Sequence, residues 1–173
     1  MTEVPSPASV PGRNPGRPPA FSPAMIAATW FGCGLAPKAP GTVGSLGALP
    51  VAWLLLVYGG WSWLAVAAVA ATVLGIVATA AVLRRSSVKD PSFVVIDEVA
   101  GQWIALLPAG LDPVLFIAGF LAFRLFDIWK PWPISWADRA VPGALGVMLD
   151  DLIAGGFAAI LVYGIGYVLA GGL

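Results

Sequence analysis

The chain has 173 residues, of which 59% are hydrophobic and only 10% charged, with a formal net charge of zero and a mean hydropathy of +0.89. That length suits one domain, and an apolar share so far above the soluble average excludes water as the main solvent. Zero net charge argues against nucleic acid as a partner, because phosphate backbones demand a basic surface, and a lone cysteine, Cys33, excludes an intramolecular disulfide.

Residues 1–21 carry Pro5, Pro7, Pro11, Pro15, Pro18 and Pro19 among glycines and two arginines. This stretch reads as a disordered cytoplasmic tail, and it lacks the apolar run that a cleaved signal would need. Residues 22–173 are the expected helical membrane domain. Its apolar segments run Pro23 to Gly34, Gly44 to Tyr58, Trp61 to Leu83, Phe93 to Leu107, Val114 to Trp129 and Leu152 to Ala170. Trp61 to Leu83 and Leu152 to Ala170 reach the roughly 20 residues that a hydrocarbon core of about 30 Å requires. The three intermediate segments need help from flanking turns or a thinned bilayer. Pro23 to Gly34 is too short to cross and is expected to be an interfacial or packed helix. The predicted fold is therefore all-α, a polytopic membrane bundle of about five membrane-embedded segments plus a short N-terminal helix.

Arg84, Arg85 and Lys89 follow the strongest span, so the positive-inside rule assigns that loop to the cytoplasm. Threading from there puts Gly59-Gly60 and Pro108 to Asp112 outside. Of the 18 charged residues, three lie in the tail and one is Asp112; the other 14 fall at cytoplasmic ends or loops. One face of the membrane is expected to carry the chemistry.

Histidine is absent, which excludes a Ser-His-Asp triad, a phosphohistidine and histidine-ligated zinc. Cys33 lacks the phosphate-cradling loop of a cysteine phosphatase and reads as packing. Oxygen chemistry remains, and oxygen-rich sites select magnesium, manganese or calcium. The loop from Ala36 to Ser45 holds Lys38 and offers Thr42 or Ser45 as N-cap to a helix whose free amides could cradle phosphate. Asp97 and Glu98 open one helix, and adjacent carboxylates on a helix diverge by about 100°. One of them can hold a metal while the other orients water. The plainer alternative is that these acids merely complement the helix dipole. Arg124 and Asp127 share a face three residues apart, with Lys130 beyond and Pro131 and Pro133 ending the helix. An arginine among phenylalanines needs a partner or a purpose, and an ion pair with Asp127 would satisfy it. Asp150 and Asp151 are predicted to open the last helix, followed by Gly155 and Gly156 as Gly101 follows Glu98.

Four blocks, Leu35 to Ser45, Val95 to Gly101, Phe123 to Pro131 and Gly146 to Asp151, together resemble the phosphatidylglycerophosphatase A family over about Gly32 to Ala170. The resemblance implies a magnesium-dependent lipid phosphatase of the bacterial cytoplasmic (inner) membrane, acting on phosphatidylglycerophosphate with its site facing the cytoplasm. It also implies a central helix surrounded by others. On that footing Asp97, Glu98, Asp127, Asp150 and Asp151 are the expected Mg2+ ligands. Asp97, Glu98, Asp127 and Asp151 are the expected catalytic groups, and Lys38, Thr42, Ser45, Arg124, Lys130 and Arg139 the expected substrate-binding residues. Attack by water is favoured, with an aspartyl-phosphate on Asp127 as the alternative. A small transporter or channel with a carboxylate-lined ion site is the competing class, but it would place its charges near the bilayer midplane rather than at segment ends.

Overall fold

A computed structural model describes residues 22–86 and 91–172. The predicted tail, Lys89 and Asp90 lie outside them. Among the described residues every regular element is helical: α1 (Pro23–Ala28), a 3-10 turn (Cys33–Leu35), α2 (Pro40–Leu83), α3 (Ile96–Ala105), α4 (Pro113–Trp129), α5 (Ile134–Ala140) and α6 (Gly143–Leu169).

The 44 residues of α2 are broken at Gly60, whose φ of 65° and ψ of −167° lie in a region open essentially to glycine alone. The chain doubles back there. Gly44 packs against Val95 and Gly75 against Ile96, although a straight helix would separate Gly44 from Gly75 by about 46 Å at 1.5 Å per residue. The predicted segments on either side of Gly59-Gly60 are thus the two arms of one hairpin.

Between these arms and α6 lies α3, with eight of its ten residues buried. It is about 15 Å long, half a bilayer core, and shorter than the predicted Phe93 to Leu107 segment. Its start is held from outside: the Val95 amide donates to the Ala28 carbonyl at 2.8 Å, and Gly34 abuts the Phe93 backbone. Trp103 Nε1 donates to the Ala48 carbonyl at 3.0 Å, fixing α3 to the first arm of α2.

After the turn at Pro108, Asp112 caps α4, accepting from the Val114 amide at 2.7 Å. α4 runs back along α6, with Leu115 beside Gly166 and Gly119 beside Val162, until Lys130 ends it with a φ of 47°. α6 starts nine residues before the predicted Leu152. Asp150 and Asp151 therefore do not open it, as expected from sequence, but lie two turns inside. Two helices, α2 and α6, are long and apolar enough to cross a membrane; α3 and α4 are not.

Candidate active site

The start of α2, the start of α3, the end of α4 and the third turn of α6 meet at one end of the molecule. They line a cavity of about 510 Å3 with Asp97, Glu98, Arg124, Asp127, Lys130, Asp138, Arg139, Asp150 and Asp151 on its wall. Helix crossing sets the geometry. A β-carbon at Gly155 would strike the Gly101 backbone, and one at Gly101 would strike the Asp151 carbonyl and Phe123. α3 and α6 therefore touch backbone to backbone. Asp97 precedes Gly101 by four residues and Asp151 precedes Gly155 by four, so each acid stands one turn before the crossing point, on the same side of it.

Carboxylate oxygens of Asp97, Glu98 and Asp151 lie within 4.8 Å of one another. Asp97 and Asp151 are only 8% and 4% exposed, and Glu98 Oε2 is buried with no hydrogen-bond partner. Three such groups repel unless a cation or protons neutralise them. An all-oxygen donor set with an orphaned oxygen fits a hard divalent ion. The other face of Glu98 meets Gly41 at the α2 N-terminus, where any side chain would collide with the carboxylate.

Around the triad Arg124 and Lys130 are paired with acids. Arg124 lies 2.5 Å from Asp127 Oδ2 and 4.0 Å from Glu98 Oε1. Asp127 is also close enough to interact electrostatically with both Glu98 and Asp151. Lys130 Nζ donates to Asp138 Oδ1 at 2.8 Å and Asp150 Oδ2 at 2.6 Å. Burial alone would lower the Lys130 pKa, but these hydrogen bonds, with the charges behind them, outweigh it and hold the ammonium above its ordinary value. Asp150 is thereby turned to Lys130 and away from the triad.

Eight of the eleven residues singled out from sequence lie on the cavity wall. Lys38, Thr42 and Ser45 do not. Lys38 is exposed. Neither hydroxyl caps α2, as was expected, because the helix already starts at Pro40 with Ala39 at the N-cap position. Ser45 Oγ instead donates to the Gly41 carbonyl within its own helix at 3.0 Å. From that loop the cavity receives only Ala39, Pro40 and Gly41; Pro40 has no N–H to offer, and the Gly41 amide, in the first turn, lacks an intrahelical acceptor. Asp138 was missed as a site residue. Its signal was its place beyond the Pro131-Pro133 turn, eight residues from Lys130.

A family model described as Phosphatidylglycerophosphatase A matches residues 26–166. The chain is 37% identical to the phosphatidylglycerophosphatase A of Escherichia coli K12, over 84% of this chain and 85% of that protein. It is 34% identical to the Haemophilus influenzae protein of the same name, over 85% and 91%. It is also 37% identical to a Bacteroides thetaiotaomicron protein named as a candidate phosphatidylinositol-3-phosphatase, over 82% and 92%. No solved structure matches.

Proposed function

Because the chain belongs to the phosphatidylglycerophosphatase A family, we propose that it hydrolyses phosphatidylglycerophosphate to phosphatidylglycerol, with magnesium, at the cytoplasmic face of a bacterial inner membrane. The observation that carries this reading is the convergence of Asp97, Glu98 and Asp151 in a cavity that also holds Arg124 and Lys130.

Asp97, Glu98 and Asp151 are the residues that would hold magnesium, which when bound offsets charge on the phosphoryl oxygens. Arg124 and Lys130 supply the cationic side that receives the phosphomonoester, and the α2 helix start adds amides beside it. Asp127 lies outside the triad yet next to Asp151. It takes the proton of the attacking water as the new P–O bond forms; the bond from phosphorus to the glycerol oxygen breaks, and that oxygen takes a proton from solvent water. Phosphate trapped covalently on Asp127 after turnover would replace this step with an aspartyl-phosphate.

Membrane embedding is supported by an inverted packing pattern. In the second arm of α2 the buried stripe is Leu64, Ala68, Ala71, Gly75, Ala78 and Val82, while Val66, Val69, Val73 and Val77 face outward, each at least 58% exposed. Small residues inward and branched ones outward suit a helix solvated by lipid. Exposed Tyr58, Trp61 and Trp63 at one end, and Trp129, Trp132 and Trp136 at the other, suit two interfacial belts. Residues 22–173 would then form the membrane domain, with both arms of α2, α3, α4 and α6 as its embedded segments and residues 1–21 as a cytoplasmic tail.

Detergent-purified protein should release inorganic phosphate from phosphatidylglycerophosphate with magnesium and stop when the ion is chelated. Phosphatidylinositol 3-phosphate, suggested by the Bacteroides relative, belongs in the same assay. Faster turnover of that lipid would replace the substrate assignment while keeping the site.

A further inference from the structure

The cations on the cavity wall are not equivalent. Arg124 is committed to Asp127, and Lys130 to Asp138 and Asp150. Among the described residues, Arg139 is the cavity-lining cation with no carboxylate partner. Its Nε donates to the Ser135 carbonyl at 2.9 Å, which ties the side chain to its own helix and leaves both terminal nitrogens uncommitted. Depth separates it as well: Arg139 is exposed, whereas Asp97 and Asp151 are buried. Arg139 is also the shared wall between the carboxylate-lined cavity and a second depression of about 400 Å3 bounded by Trp132, Ser135 and Trp136.

We propose that this second depression is a subsite for the phosphodiester and adjoining glycerol of a lipid substrate, with Arg139 binding the diester anion while the terminal phosphomonoester occupies the cavity. The proposal rests on the phosphatase reading above and assigns the second anion of such a lipid to a second place. A guanidinium with both terminal NH2 groups free matches a pair of phosphate oxygens. Trp132 and Trp136, 79% and 54% exposed, offer apolar faces with a polar edge, the combination suited to the headgroup boundary. A cation at the rim meets the part of the substrate that stays at the membrane surface; the deep cations meet the part that reacts. Arg139 is then a specificity residue. It separates a phosphomonoester that is joined to its diacylglycerol through a phosphodiester from one esterified to diacylglycerol directly.

The test compares kcat/KM on phosphatidylglycerophosphate and on phosphatidic acid in the same mixed micelles, for the full-length wild type, Arg139→Ala and Arg139→Lys. Wild type should prefer the diester-containing lipid. Arg139→Ala should lower that preference about tenfold or more, chiefly through KM, as expected for a lost charge-assisted contact. Arg139→Lys should recover part of it, since a point charge remains without the fork. The ratio of two substrates cancels any general loss of folded enzyme. An unchanged ratio in Arg139→Ala, whether both rates fall together or neither does, would overturn the proposal. Absence of turnover of either lipid by wild type with magnesium would overturn the phosphatase reading as well, an outcome distinct from an unchanged ratio.

Discussion

Asp97 and Glu98 are neighbours in sequence with different surroundings, Asp97 facing Asp151 and Glu98 reaching toward Arg124 and the start of α2. Consecutive helical residues point about 100° apart, so different surroundings were legible; that both carboxylates nevertheless reach one triad with Asp151 was not. The second acidic pair does divide, Asp151 into the triad and Asp150 onto Lys130. Sequence showed the pair but not which member went where, since the choice depends on Lys130 arriving from another helix. Asp97→Ala and Asp151→Ala should each lower turnover at least about 100-fold, a loss near 3 kcal/mol of transition-state stabilisation, with unchanged helical circular dichroism. Retained turnover in both would remove the triad from the chemistry. Lys130→Met should weaken substrate binding and, in addition, lower stability. It leaves Asp150 buried without its cation, a type of break that costs about 3 to 5 kcal/mol, and a lower thermal midpoint in detergent would report it.

At the scale of elements, the predicted segments locate the helices but not all their bounds: Pro23 to Gly34 and Phe93 to Leu107 overran α1 and α3, which end in turns that are themselves apolar. α4 was placed within one residue of its start because its apolar run is clean. α6 was started nine residues late because Asp150 and Asp151 break the apolar window, although they sit inside a continuous helix. The Lys38 loop misled for a related reason. Its hydroxyls look like caps, but Pro40 is itself well suited to the first helical position. The α3–α6 crossing yields a paired prediction. Gly155→Ala places a methyl group against the Gly101 backbone, whereas the same change at Gly156 meets open space. Gly155→Ala should cost about 1 to 3 kcal/mol as overpacking and reduce activity by spreading the acids. Gly156→Ala should be neutral or stabilising by up to about 1 kcal/mol. Equal thermal midpoints for the two variants would refute the close crossing.

For the whole molecule, charge is gathered at one end and the outward surface is apolar, and both features were visible in composition and spacing. The inward stripe of alanine and glycine was not assigned in advance, because nearly every position of the second α2 arm is apolar and periodicity carries no contrast. Packing alone separates Ala68 and Ala71 from Val69 and Val73. Val69→Glu should therefore impair membrane insertion, by roughly 2.5 to 3.5 kcal/mol on insertion scales. Fractionation of cells expressing the variant would show a smaller share in the membrane pellet; an unchanged share would speak against lipid contact at that face.

Gly60 governs more than a bend. Without a residue able to adopt its backbone angles, the two arms would tend to continue as one rod of about 66 Å, twice the depth of a hydrocarbon core. On the membrane reading proposed above, the number of crossings before α3 would change from even to odd. Every acid and arginine downstream would then be delivered to the opposite compartment from the Pro40 helix start. On that reading one achiral residue fixes the parity on which assembly of the candidate site depends.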